Sequence, residues 1–152
     1  MTRKTLSNLL AFAGLVLACI ASFGSTAVLG QTLTIKVDGF RSQNGVVHVL
    51  LYDSASAFAA TSLTDLAKYT TKTIRSDPFS VKLYGVKPGT YALFVHHDEN
   101  ANDVFEMNGQ TPVEGWGYSN DVGRDDTPDF AAAAFSFDGE RRHQTITMRY
   151  AN

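Results

Sequence analysis

Cysteine is almost missing from this chain. The one present, Cys19, sits in an apolar stretch near the start, so no disulfide framework, thiolate nucleophile or zinc–thiolate centre is open to the rest. A surplus of basic residues is missing too. Lys and Arg number 13 against 15 Asp and Glu, which argues against nucleic acid or an anionic membrane face as the partner. The apolar run Leu9–Ile20 falls well short of the roughly 20 residues that a membrane span needs. There is no Gly-x-Ser-x-Gly elbow and no phosphate-cradling glycine loop, so serine-nucleophile and nucleotide chemistry have no motif to stand on. Internal repeats and low-complexity tails are also absent.

What the chain does have begins with a leader. Arg3 and Lys4 precede Leu9–Ile20, and a Ser/Gly/Thr/Ala-rich zone follows. Basic start, short apolar core and small residues are the pattern of a secretory signal peptide. Residues 1–30 are therefore set apart, with cleavage after Gly30 or, as a second choice, after Ala27. Val16-Leu17-Ala18-Cys19 also matches a lipobox, whose processing would leave a lipid anchor on Cys19. Removing residues 1–30 takes away two basic residues and no acidic ones, leaving 11 against 15 and a net charge of −4. The expectation is an exported, periplasmic or extracellular protein with one domain over 31–152, large enough to bury a modest core.

That domain reads as strands. Leu33, Ile35 and Val37 alternate with Thr34, Lys36 and Asp38, a half-buried strand. Gly45–Tyr52 is apolar on both faces, so it is expected to be central. The polar turn between the two predicts an antiparallel pair. A short helical turn is expected over Leu63–Tyr69, behind Thr61 or Ser62, as cover for a sheet edge. Further strands are expected at 72–76, 79–84, 91–97, 132–137 and 143–150. Pro88-Gly89 suits a type II turn. In the most apolar strand, Tyr91, Leu93 and Val95 share one face, and Ala92, Phe94 and His96 the other. The glycine- and proline-rich stretch from Gly109 to Phe130 predicts a long irregular connection. About seven strands with almost no helix give an all-β fold, a single antiparallel sandwich of two sheets.

The chemistry concentrates in His97-Asp98-Glu99-Asn100-Ala101-Asn102-Asp103-Val104-Phe105-Glu106. Asp98, Asn100 and Asn102 alternate, so their short oxygen-bearing side chains can converge. The Val104 carbonyl and the Glu106 carboxylate extend the set, and Glu114 can supply another carboxylate from outside. All-oxygen ligands at alternate positions suit a hard cation such as calcium. The stretch departs from an EF-hand loop in having Asp103 where glycine is expected, Gly109 where the bidentate glutamate is expected, and no flanking helices. The competing reading is a polar turn whose side chains bond their own backbone. Four acids within these nine residues, 98–106, repel one another unless a cation or basic partner balances them.

His96 and His97 are adjacent on a strand, so they point to opposite faces and do not readily share one ion. One core or strand-end histidine and one exposed one is expected. His48 and His143 are read as structural. Glu114-Gly115-Trp116-Gly117-Tyr118-Ser119-Asn120 offers Trp116, Tyr118, Ser119 and Asn120 as a surface for a sugar ring or a peptide. The alternative is that Trp116 and Tyr118 fold back to close one end of the sandwich.

Four ordered motifs carry a resemblance. Gly85–Ala92, His97–Asn102, Pro112–Asn120 and Pro128-Asp129-Phe130 with the alanines that follow resemble a secreted bacterial family of unknown function, DUF2141, over nearly all of 31–152. The resemblance implies a β-sandwich similar to the prealbumin-like or carboxypeptidase-regulatory-like domains, and no known activity. Members carry Asn-Gly and then Asp in the acidic loop, whereas this chain has Asn102-Asp103 and Glu106. The prealbumin-like group includes a hydroxyisourate hydrolase with a Tyr-Arg-Gly-Ser signature, for which this chain has Met148-Arg149-Tyr150-Ala151-Asn152.

The leading expectation is a non-enzymatic envelope protein whose 98–106 loop binds calcium, stiffening the 114–120 segment for contact with a protein or glycan. The rivals are a small hydrolase using Glu114 or Glu106 as base, with His97 or a metal nearby, and a purely structural module with no ion.

Overall fold

The fold is that of a computed structural model, which describes residues 31–124, 126–139 and 143–151. The leader assigned to 1–30, its cleavage sites and the lipobox at Cys19 lie outside the described residues. Among the described residues, no helix is long and apolar enough to cross a membrane.

The chain forms a β-sandwich. One sheet has the order β10-β1-β4, built from β1 (Gln31–Asp38), β4 (Phe79–Val86) and β10 (His143–Thr147). The other has the order β3-β2-β5-β8, built from β2 (Val46–Tyr52), β3 (Lys68–Thr73), β5 (Gly89–Asp98) and β8 (Gly115–Tyr118), with β9 (Phe135–Phe137) pairing to the start of β5. A small hairpin of β6 (Met107–Asn108) and β7 (Thr111–Pro112) stands apart. All pairings are antiparallel except β1 with β10, which is parallel.

The alternation read in β1 and β5 is what places the core. Leu33, Ile35 and Val37 face Val47, Val49, Leu51, Leu93 and Val95 across the sandwich. The even positions of β2 and β5 point away from it and build a second core. There Leu50, Tyr52, Ala92 and Phe94 are covered by α1 (Ala55–Ala59) and α2 (Phe130–Ala133). Because β2 and β5 are buried on both faces, they read as continuous apolar runs.

Several expectations need correcting. β1 and β2 are not a hairpin: β1 lies between β4 and β10, and β2 between β3 and β5. The wet face of β1 belongs to the thinner sheet, whereas β2 needs cover on both sides, so the chain crosses between sheets at 39–45. Gly39 and Gly45 stand at each end of that crossing with left-handed backbone (φ 79° and 68°). A Cβ at Gly45 would lie 1.9 Å from the Asp98 carbonyl oxygen, so only glycine lets the crossing pass the root of the acidic loop.

The first helix comes earlier than expected. Ser54 caps α1, its hydroxyl accepting from Ala57 N–H, while Tyr69 lies in β3. Residues 130–133, whose last two were expected to open a strand, are helical because the Asp129 carboxylate accepts Ala132 N–H at 2.7 Å and starts a run of strong helix formers. Gly89 opens β5 and is not left-handed, so Pro88-Gly89 is not a type II turn; the left-handed glycine nearby is Gly85 (φ 71°). The stretch expected to be irregular contains β8, which pairs with β5 through Phe94–His97.

Candidate functional site

The site lies on the outer face of the larger sheet, at the end of β5 away from α1 and α2. In the antiparallel register His48 of β2 stands opposite His96 of β5, one step beyond the Leu50–Phe94 pair. The side chains on this face thus change from apolar to ionisable along the strands. The His48 and His96 rings stack with centroids 5.3 Å apart, and both are buried. Asp98 ends β5 with no exposed surface.

The acidic loop folds tightly over this end. Asp98 accepts Asn102 N–H on Oδ1 at 3.1 Å and Asp103 N–H on Oδ2 at 2.7 Å. Asn100 Oδ1 accepts Asn102 N–H, and Asn102 Oδ1 accepts Val104 N–H. Asn100 Nδ2 donates to Glu106 at 2.9 Å. Ala101 and Asp103 are left-handed (φ 56° and 61°). Asp103 therefore makes the backbone turn that glycine makes at the sixth position of an EF-hand loop, a conformation that Asp tolerates better than most residues. Burial works to raise the Asp98 pKa. The hydrogen bonds from Asp103, His48 and Asn102 outweigh it and hold the group below the ordinary aspartate value.

Glu99 and Glu114 brace the loop. Glu99 pairs with Arg41 and accepts Ser42 Oγ–H at 2.8 Å. Arg41 in turn lies over the Tyr150 ring, 4.6 Å from its centroid. Glu114 is turned inward: Oε2 meets His96 Nε2 at 2.6 Å, and Oε1 accepts Glu99 N–H at 2.9 Å. Burial lowers the His96 pKa, and its bond to Glu114 opposes that.

The structure thus brings together some predicted ligands and turns others aside. Asp98, Asn100, Asn102 and Val104 share the loop, with the Val104 side chain exposed. Glu106 is held by Asn100, and Glu114 by His96. His96 and His97 do point to opposite faces, but both are buried. His97 Nε2–H donates to the Asn44 carbonyl at 2.9 Å, which leaves Nδ1 to accept from Tyr150 O–H at 2.6 Å.

Trp116 and Tyr118 are half-buried against the second core. Trp116 Nε1–H donates to Gly123 O at 3.1 Å, and Tyr118 stacks on Phe94. Both line a shallow depression of about 100 Å³ with Phe105, Pro112 and Arg124. Ser119 is fully buried, accepting Leu93 N–H at 2.9 Å and donating to Ala133 O at 2.5 Å. Asn120 Nδ2 donates to the carbonyls of Ala132 and Ala134.

Two residues not expected as ligands complete the site: His48, read as structural, and Asp103, read as standing where an EF-hand loop has glycine. His48 Nε2 is 3.3 Å from Asp98 Oδ2 and 3.5 Å from Asp103 Oδ1. One ligand atom from each of His48, Asp98 and Asp103 lies within 4.8 Å of the others. The Asp98–Asn102 spacing pointed to the loop; only the β2–β5 register, which the expected β1–β2 hairpin obscured, would have pointed to His48. Above His48 and His96, a cavity of about 200 Å³ is walled by Phe94, Phe105, Leu63 and Asp103.

No match was found among curated proteins or among solved structures. A family model described as "Uncharacterized protein conserved in bacteria (DUF2141)" matches residues 35–145, a range that takes in the second half of β1, the acidic loop and the first three residues of β10. The chain belongs to that bacterial family of uncharacterised proteins.

Proposed function

We propose that this is an exported, non-enzymatic envelope β-sandwich that holds a calcium-type cation in its 98–106 loop and contacts a protein or glycan through the adjoining aromatic segment. The observation that carries the reading is the left-handed Asp103 (φ 61°). It meets one of the loop's departures from an EF-hand, because Asp103 makes the left-handed turn that glycine makes at that position. The loop is also rich in negative charge, which a divalent cation offsets.

Phe105 links the loop to the contact surface. It packs edge-on against Phe94 and His96, with centroids 5.3 and 4.9 Å apart, and borders the depression formed by Trp116 and Tyr118. A cation that fixes residues 98–106 would fix Phe105 and with it one wall of that depression. The hydrolase reading gains nothing from Glu114, which is committed to His96 and Glu99 N–H.

The test is thermal unfolding in EDTA, in excess calcium and in excess magnesium. Binding to the folded state alone stabilises by about 2.7 kcal/mol at a hundredfold excess over Kd. A calcium-specific rise is expected in the wild type and not in Asn100→Ala, whose side chain is exposed. An equal midpoint in EDTA and in millimolar calcium would leave the loop a self-bonded turn.

A further inference from the structure

The calcium reading leaves a nitrogen ligand unused. Calcium takes six to eight oxygens, and His48 cannot belong to such a set. Its position is nevertheless specific. His48 Nε2 stands 3.3 Å from Asp98 Oδ2 and 3.5 Å from Asp103 Oδ1. For comparison, a charge-assisted N–H···O bond is about 2.7–2.9 Å, and the nearby His96–Glu114 contact closes to 2.6 Å. The contact to Asp98 is a long hydrogen bond and that to Asp103 is longer still. Both distances are also close to the edge of a coordination tetrahedron: with zinc–ligand bonds of about 2.0–2.1 Å, ligand atoms stand about 3.3–3.4 Å apart.

The orientation of the ring points the same way. His48 Nδ1 lies 2.9 Å from Thr71 Oγ1 and 2.7 Å from the Tyr69 hydroxyl, and Thr71 Oγ1–H donates onward to Tyr69. When a metal replaces the Nε2 proton that otherwise bonds Asp98, Nδ1 must carry the proton, and this hydroxyl pair can accept it. A second hydrogen bond of this kind is what fixes tautomer and ring plane in metal-bound histidine. The carboxylates differ in access. Asp98 is fully buried, whereas the Asp103 side chain is 81% exposed. His48 and Asp103 therefore line the 200 Å³ cavity walled by Phe94, Phe105 and Leu63, and Asp98 lies buried behind them. Three protein ligands with the remaining position facing an open cavity is the layout of a zinc site that takes up an external ligand.

We infer that His48, Asp98 and Asp103 form a zinc-class transition-metal site whose fourth position opens into the apolar cavity above His48 and His96. The site does not depend on the calcium reading, since the two share only Asp98. Both oxygens of that residue accept loop N–H groups, and Oδ2 is the one that also faces His48. The external ligand that suits the cavity is a small molecule with one oxygen or nitrogen donor for the metal and an apolar body.

The experiment uses the tag-free protein, with Zn(II) binding followed by calorimetry and Co(II) as a visible-absorbing stand-in. One Zn(II) per chain and the absorption of a four-coordinate Co(II) centre are expected. Asp103→Asn should weaken Zn(II) by at least about tenfold, the lower end of what even an outer-sphere change costs. That variant is exposed and keeps a side chain suited to φ 61°, so misfolding does not explain its loss. His48→Gln should do the same, while Asn100→Ala should bind Zn(II) as the wild type does. Zinc affinity unchanged in Asp103→Asn, or no zinc binding by the wild type beyond that of His48→Gln, overturns the inference. Loss of calcium response with zinc intact sinks the proposed function alone, and the reverse sinks this inference alone.

Discussion

His96 and Glu114 meet at 2.6 Å with their side chains only 6% and 4% exposed, and the second oxygen of Glu114 holds the N–H of Glu99 at the start of the acidic loop. One buried carboxylate thus joins the end of β5, the base of β8 and the loop. With burial lowering the His96 pKa, the contact is a hydrogen bond and not an ion pair, and leaving a buried partner unsatisfied costs about 1–3 kcal/mol. Glu114→Ala is expected to lose that much in urea unfolding, and Glu114→Gln, which keeps an acceptor, distinctly less. A loss under about 1 kcal/mol in the alanine variant would mean that the pair does not brace the loop.

Ser119 is expected to matter for stability and not for recognition. Its hydroxyl serves Leu93 N–H and Ala133 O in the interior. Ser119→Ala leaves both unsatisfied, at about 1–3 kcal/mol for a buried orphan. Equilibrium unfolding gives the cost. A partner-binding defect in a variant with unchanged stability would return Ser119 to the contact surface.

The left-handed turn at Asp103 separates backbone from side chain. Asp103→Gly keeps the turn and removes the carboxylate, so the loop fold and its calcium response should survive. Asp103→Val puts a β-branched residue at φ 61° and should cost about 1–3 kcal/mol in local strain. Hydrogen exchange of the Asn102 and Val104 amides is the readout. Equal protection in the two variants would show that the turn does not hold the loop.

Burial, above all, pushes the hydroxyls of Tyr52 and Tyr150 up to about 12. An unfolded tyrosine ionises near 10, so between those values the unfolded chain binds fewer protons than the folded one. The contribution is complete below pH 10 and is lost as pH rises towards 12. The Tyr52 hydroxyl also lacks a hydrogen-bond partner among the described residues. Tyr52→Phe should therefore stabilise by about 1 kcal/mol at pH 8 and by more at pH 11, as read from denaturant midpoints. A destabilised phenylalanine variant would reveal a partner for that hydroxyl.

How much of this was legible follows from the range of each signal. Period-two alternation is local, so β1, β2, β4 and β5 could be read within a few residues of their ends, along with the two faces of β5. Pairing is not local. The turn at 39–45 has the composition of a hairpin turn, yet it carries the chain between sheets, because β2 needs cover on both faces and a hairpin with β1 would not supply it. The strand at 115–118 hides behind its glycines. A Cβ at Gly117 would come 2.6 Å from the Ile146 side chain, so tertiary packing, not turn chemistry, demands glycine there. In the site, the Asp98–Asn100–Asn102 spacing was visible, while His48 was not. Nothing local distinguishes it; only its place opposite His96, 48 residues later in the chain, brings it to Asp98.

The parallel seam between β1 and β10, with Thr34 opposite His143 and Asp38 opposite Thr147, has a consequence for the order of assembly. Until residue 147 has been made, β1 has β4 on one flank and a row of unanswered amides on the other. Such an edge accepts any extended segment, including the same strand from another copy. A chain cut short before His143 therefore has an open flank where β10 would pair, and is expected to associate with itself through the exposed β1 edge. A chain that includes β10 supplies its own plug.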